Sequence, residues 1–420
     1  MYIKNLRKEV KRLMFSNIYK GRIKSESYLY IKPSPGTYPF QWFWDTCFHV
    51  FILCALGEYD LAKKDLGSLF ALQREDGFVG HMIFWKGTYH INLWNIFQST
   101  PTLRQFRPHM SAIIHPPLAA QALLQIYKGT KDINFLNLML PKLKKYYKWL
   151  LENRDFERTG LLSIISPFES GMDWKPSFDT VLDFKDGLAN RKLFYKVHWV
   201  EIRNFLHGYN LKSIYKANYF IVKEVSLNTF YALNLKAMAK LCKIANDNDE
   251  KTYENLYKKT KKSILKIMYD EKNSAFWDIW GDKKLKILTP TVFFPIVLPE
   301  MPSSIINGVM EKHILNKEQF DVPYPIPSTG INEPSFNPHQ SKYIWRGPTW
   351  IIYNWFIYKF LHKEKYKKEA DTLLRTVLDF IKKSGFREYY NPFTGEGYGA
   401  KNFTWSGLVL DMLKTKKNKF

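Results

Sequence analysis

Two carboxylate-bearing loops carry the most specific chemistry in this sequence. The first is SPFESGMDWKPSFD, Ser166 to Asp179, where Asp173 follows a Ser-Gly-Met step and precedes Trp174. Gly171 permits a backbone that other residues resist, and Pro167 and Pro176 stiffen both ends. An indole beside a carboxyl keeps water away from it. Desolvation disfavours the charged form, raises the pKa, and makes a carboxylic acid that donates a proton near neutrality. The second loop is GFREYYNPFTGEGYG, where Glu388 is ringed by Phe386, Tyr389 and Tyr390. Two isolated carboxylates in aromatic loops, far apart in sequence, suit acid–base work on a single bond. Hydrolysis of a glycosidic bond needs such a pair: one protonates the leaving oxygen, the other activates water or attacks carbon. Among the neighbouring acids, Asp179 reads as a cap or ion-pair partner and Glu396 as solvated. Glu169 stays open between a site role and an ion pair.

A third stretch, TYPFQWFWDTCFHV, sets Asp45 behind Trp42, Phe43 and Trp44, with Tyr38 close by. A helix N-cap would explain Asp45 alone. It would not explain the aromatics. A wall of flat apolar faces with one carboxylate suits a sugar ring, whose C–H face stacks while its hydroxyls meet the acid. In SKYIWRGPTWIIYNW, Arg346 lies between Trp345 and a Gly-Pro step, placed to bridge to an acid of the site. Trp350 and Trp355 read as core of the helix that follows. Ser170 lacks the G-x-S-x-G elbow of a serine nucleophile. His49, His81, His90, His109 and His115 match no common metal-ligand spacing, so each reads as a structural histidine. No phosphate loop of standard form appears, and no cofactor or metal is expected.

These loops need a frame, and the sequence offers repeated helix pairs. FHVFILCALGEYDLAKKDLGSLFALQREDGFVGH, the run beginning PPLAAQALLQIYKG, the run beginning NTFYALNLKAMAKL and the run beginning PTWIIYNWFIYKFL share one pattern. The first helix of each is nearly all apolar and the second is amphipathic. A helix apolar all round is covered on all sides, whereas an amphipathic one has a wet face. Two concentric helical layers follow. With weaker helical stretches at about 187–209 and 301–314, the total approaches the dozen helices of an all-α (α/α)6 barrel. An open solenoid is the alternative, but the copies are unequal in spacing. KILTPTVFFPIVLP is apolar yet broken by prolines, so it is poor strand material, and β structure should be minor. No linker or composition shift divides the chain, so one domain spanning residues 1–420 is expected.

The net charge is +24, from 63 basic and 39 acidic residues. The lysines fall in helical runs such as PKLKKYYKWLLEN, the pattern of a solvated face, so nucleic-acid binding is not expected. Cys47, Cys54 and Cys242 are too few and scattered for a disulfide framework. The first residues are charged throughout and lack an apolar signal core, and no apolar run reaches membrane-spanning length. A cytoplasmic protein away from membranes is therefore expected.

At QWFWDT, ESGMDWKP, YIWRGPTW and FREYYNPFTG the chain resembles glycoside hydrolase family 63, in particular its small mannosylglycerate hydrolase-like members, and more distantly the trehalases. The resemblance runs from about Tyr38 to Asp411. It implies an (α/α)6 barrel and an inverting mechanism, with Asp173 as general acid and Glu388 as general base. Asp45, Tyr38, Trp42, Phe43 and Trp44 would hold the sugar, and Trp345 and Arg346 would border the same pocket. Gln73, His81 and Trp85, in QREDGFVGHMIFW, would shape its rim. Arg203 would meet an anionic aglycone, which needs a cation. AIIHPPLAA carries His115 on the aglycone side, where the family often has Gln. The implied substrate is a small carbohydrate, an α-glycoside such as mannosylglycerate or glucosylglycerate. Trehalose or another α-glucoside is the alternative. A helical carbohydrate- or nucleic-acid-binding protein without catalysis is the alternative of a different class.

Overall fold

A computed structural model describes residues 2–23, 26–86, 108–339, 342–362 and 365–417. Its frame is a closed ring of helix pairs. The inner helix Phe43–Leu56 is buried at every position, which is why its sequence is apolar on all faces. It stops at Gly57, whose left-handed backbone (φ 82°) closes the helix. Its outer partner is Tyr59–Leu69. The next pairs are Ala119–Thr130 with Ile133–Arg154, and Val225–Ile244 with Glu250–Ser263. Ile351–Leu361 pairs with Lys367–Ser384. These are the four units read from the sequence.

Two further pairs complete the ring. The proline-broken run becomes the 3-10 helix Pro290–Val297, which fills an inner position between Val225–Ile244 and Ile351–Leu361. Ser303–Val309, continued by a π turn to Ile314, lies outside it. The last inner element is the turn Thr404–Leu408 leading into Val409–Lys417, which packs on both Ile351–Leu361 and Phe43–Leu56 and so closes the circle. Its outer partner comes from the other end of the chain. Tyr2–Ser16 presents Leu6, Val10 and Met14, one helical stripe, to the closing turn and to the helix Phe43–Leu56. The stretch expected near 187–209 belongs to neither ring. Arg191–Leu206 buries Leu193, Val197 and Val200 in the main core, while its Phe205 and the helix Leu211–Ala217 pack with Ile113, Ile165 and Ile221 into a small second core.

Strands are short and antiparallel. Ile18–Ile23 pairs with Glu26–Ile31, Gln41–Trp42 joins Met82–Phe84 and His109–Met110, and Arg387–Tyr390 pairs with Gly397–Lys401. No helix among the described residues is long and apolar enough to cross a membrane. Cys47, Cys54 and Cys242 are buried free thiols.

Ring closure depends on close approach at Gly407. A Cβ there would stand 3.0 Å from side-chain carbons of both Val10 and Ile52. Gly407→Leu should therefore cost about 1–3 kcal/mol of stability through overpacking, measured by urea unfolding. An unchanged midpoint would show that the two chain ends do not meet tightly there.

Candidate active site

The loop bearing Asp173 is fastened along its length. Ser166 caps the 3-10 turn Pro167–Ser170 by accepting from the Phe168 N–H. Glu169 is fully buried, receives two bonds from Arg154, and accepts the N–H groups of Ile114 and Ile165. Glu169 is thus an anchor of the loop, which settles the role left open by the sequence. Gly171 has φ 71°, and a Cβ there would strike the Trp44 indole at 2.4 Å. Only glycine allows this turn to lie flat on that ring. Asp179 forms a bidentate ion pair with Arg346, as its reading as an ion-pair partner requires.

The loop bearing Glu388 is a hairpin with a bulge. The pairing of Arg387–Tyr390 with Gly397–Lys401 shifts register between Arg387 and Tyr389. A bulge bends a strand and re-aims its side chain, and Glu388 sits there. Its Oε1 accepts from the Tyr38 hydroxyl at 2.6 Å, and its Oε2 from the Ala400 N–H at 2.8 Å. Gly399 has φ 67°, and a Cβ at that position would come within 2.5 Å of Oε2.

These loops meet in one narrow pocket. Asp173, Glu388, Asp45, Tyr38, Trp42, Trp44, His115 and Trp345 line it, together with Trp350, Trp405, Phe403, Ile344, Pro33 and Gly171. Its volume is about 70 Å³. At roughly 15 Å³ per water position, that is space for a few waters or one small ring. The walls are indoles. Trp345 stacks on Trp350 with centroids 3.6 Å apart and an 11° interplanar angle. Trp345 also holds φ at 73°, a costly value for a bulky residue, which the contacts with Trp44, Trp350 and Trp405 enforce.

The carboxyls feel this enclosure differently. Burial raises the Asp173 pKa to about 7, assisted by the charge of Glu388. Among the described residues, the only hydrogen bond easing its charge is from its own backbone N–H. Burial also raises Glu388, but the bonds from Tyr38 and Ala400 favour its charged form and work against the rise. Asp45 is raised to about 8, chiefly by burial, although the Trp405 N–H donates to it at 2.7 Å. Trp42 takes the N-cap position of its helix, and Asp45 falls in the first turn. The indole N–H groups of Trp42 and Trp350 and Nδ1 of His115 are buried without a partner among the described residues. Burial holds His115 neutral by pushing its pKa well down. Unpaired buried polar groups cost about 1–3 kcal/mol each, a cost that a hydroxylated ligand would remove.

Several residues expected here lie elsewhere. Phe43 is core, packed on Phe70 and Tyr146, because its neighbours Trp42 and Trp44 occupy the pocket side of the helix start. Trp85 stacks on Tyr28 at 4.3 Å and donates to Gln41. Gln73 staples a turn through Gly77 and Lys142 carbonyls. His81 stands behind the lining, bonded to Ser111 and in ring contact with Trp42 and His115. Arg203 lies over the Tyr219 ring at 3.9 Å in a separate groove with Tyr195 and Trp199. Arg346 is absent from the lining; it pairs with Asp179 and lies over the Phe184 ring. Trp174 is also absent from the lining; it packs on Phe168, Phe194 and His198, so other indoles enclose Asp173. Conversely, Trp350, expected in the core, lines the pocket, and so does Trp405, which sequence reasoning missed. The signal for Trp405 is a Trp-Ser-Gly step at the mouth of the last inner helix. His90 lies outside the described residues. Among those described, no group of three or more His, Cys, Asp or Glu side chains could hold a metal ion.

A closed ring of helix pairs with carboxyls at one mouth is the architecture of the (α/α)6 glycosidases, and the chain is a glycoside hydrolase of this class. Residues 38–406 match the mannosylglycerate hydrolase MGH1-like glycoside hydrolase domain, and the chain belongs to that family. It is 28% identical over 415 residues to the mannosylglycerate hydrolase of Thermus thermophilus, covering 90% of this chain and 94% of that one. It is 24% identical over 429 residues to the glucosylglycerate hydrolase of Mycolicibacterium hassiacum, covering 90% and 93%. The fold matches the crystal structure of the family 63 mannosylglycerate hydrolase from Thermus thermophilus in complex with Tris and D-glycerate. The TM-score is 0.84 at 23% identity, over 97% of this chain and all of that one. A neutral trehalase from Saccharomyces cerevisiae matches at TM-score 0.62 and 15% identity, over 97% and 80%.

Tyr38→Phe removes a donor that favours ionised Glu388. The Glu388 pKa should rise by about one unit, read by carboxyl-carbon NMR titration. A fall, or no change, would mean that the phenol does not hold the carboxylate.

Proposed function

We propose that the enzyme hydrolyses a small α-glycoside, α-mannosylglycerate or α-glucosylglycerate, with inversion at the anomeric carbon. One observation carries this reading: two carboxyls share a narrow indole-lined pocket, and donors meet both oxygens of Glu388 while only its own backbone N–H eases the charge of Asp173. Environments that separate two carboxyls assign acid and base. Asp173 gives its proton to the glycosidic oxygen as the C1–O bond breaks. Glu388 takes a proton from water as the water oxygen bonds C1 from the opposite face. The products are the free sugar, inverted at C1, and the aglycone alcohol. Inverting pairs stand about 6.5–9.5 Å apart, which leaves room for that water.

Trp42, Trp44 and Trp345 offer faces on which the sugar stacks. At neutral pH Asp45 carries its proton, so it can donate to one sugar hydroxyl and accept from another. The relatives' names support the glycerate class. The described lining contains no Lys or Arg, so the substrate panel must include neutral trehalose beside the two glycerates. The whole chain, residues 1–420, would act as one catalytic domain.

Asp173→Asn and Glu388→Gln should each lower kcat/KM on the true substrate by about 10²–10⁴-fold, with an unchanged far-UV circular dichroism spectrum. Near wild-type turnover in either variant would remove the assignment. The acid must be protonated and the base ionised. Activity of the native enzyme should therefore fall as pH rises through about 7, where Asp173 loses its proton. It should also fall at low pH as Glu388 gains one. The limb near 7 should vanish in Asp173→Asn measured on an activated substrate; its persistence would assign that limb to another group.

A further inference from the structure

We propose that Lys175 is a positioning residue for the acid: a buried ion cluster around its ammonium fixes the Asp173 turn against the inner ring. This rests on the role of Asp173 given above. Lys175 is 1% exposed and does not line the pocket. Its backbone N–H bonds the Met172 carbonyl at 2.9 Å, closing a turn that brackets Asp173 and Trp174. Its ammonium meets Glu224 and, at 2.8 Å, Asp278.

Both carboxylates have a second task. Glu224 Oε2 accepts the Leu227 N–H and Asp278 Oδ1 accepts the Val225 N–H, so together they cap the inner helix Val225–Ile244. Ser177, two residues beyond Lys175, also donates to Asp278, at 2.6 Å. The acid turn is thereby bolted on its far side to the start of a rigid ring helix. A buried ion cluster is weak support for stability, because desolvation offsets much of its attraction. Its worth lies in specifying one arrangement. Apolar packing alone would tolerate sliding, and general-acid catalysis does not: a misplacement of about 1 Å can cost 10²-fold in rate.

The test separates acid placement from general damage. Protonation matters for an alcohol leaving group and little for fluoride, which departs readily as the anion. Lys175→Met should lower kcat/KM on the glycoside substrate by about 10²-fold and on the α-glycosyl fluoride of the same sugar by less than about 3-fold. Lys175→Arg, which keeps the cation, should recover most of the loss. Should Lys175→Met not fold, Asp278→Asn keeps volume, weakens one tether, and should show the same split at about 10-fold. Equal losses on both substrates would reduce Lys175 to a fold-stabilising residue and overturn the proposal, as would no loss on either. Native enzyme inactive on both the glycosides and the α-mannosyl and α-glucosyl fluorides would instead remove the glycosidase reading on which it rests.

Discussion

Carboxyl groups crowded into one narrow pocket resist ionising together, since each negative charge raises the cost of the next. This site holds Asp173, Glu388 and Asp45 in such a pocket with no cation among its described lining residues. The conflict is resolved by hydrogen bonds. Glu388 is met on each oxygen by a donor, Tyr38 on one and the Ala400 N–H on the other, so a single negative charge has one favoured home. Asp173 is left enclosed and has no comparable support. In the proposed mechanism, the unequal placement of donors around chemically similar groups divides proton donor from proton acceptor.

That inequality determines much of the surrounding structure. The Ala400 N–H reaches Glu388 because the hairpin carries a bulge and because Gly399 leaves space against the carboxylate. Tyr38 reaches it from a loop before the first inner helix, so the two ends of the chain must be held in register. The N-terminal helix does this by packing as the outer partner of the last inner element. Anchors under the Asp173 loop lie on the side away from the pocket: Arg154–Glu169, Arg346–Asp179 and Lys175 with Glu224 and Asp278. Ion pairs support the loop without lending the acid a cation, which would lower its pKa.

Helix pairs are legible in the sequence wherever inner and outer partners are adjacent, because burial on all sides and burial on one face leave different patterns. The closing pair is not visible there, since its members come from opposite ends of the chain. Pro290–Val297 is hidden because prolines disguise an inner element that is 3-10 rather than α. Asp173, Glu388, Asp45 and the aromatics at 38, 42 and 44 stand out as polar groups set among large rings. Phe43 does not separate from its neighbours, because residue type does not report rotation about a helix start. Arg203 stands out for its charge alone, and the helix that carries it turns it toward Tyr219. Trp350 and Trp405 reach the pocket by packing against other indoles, a tertiary relation that no local pattern encodes.

The mechanism stands on water attacking the face opposite the leaving group. Proton NMR of the first minutes of hydrolysis, before mutarotation, reads the anomer released from an α-glycoside. The proposed roles, Asp173 as acid and Glu388 as base on water, predict that the β-anomer appears first and the α-anomer only as the sugar equilibrates. Initial release of the α-anomer would mean a covalent intermediate on one carboxylate, and would contradict the division of labour between Asp173 as acid and Glu388 as base.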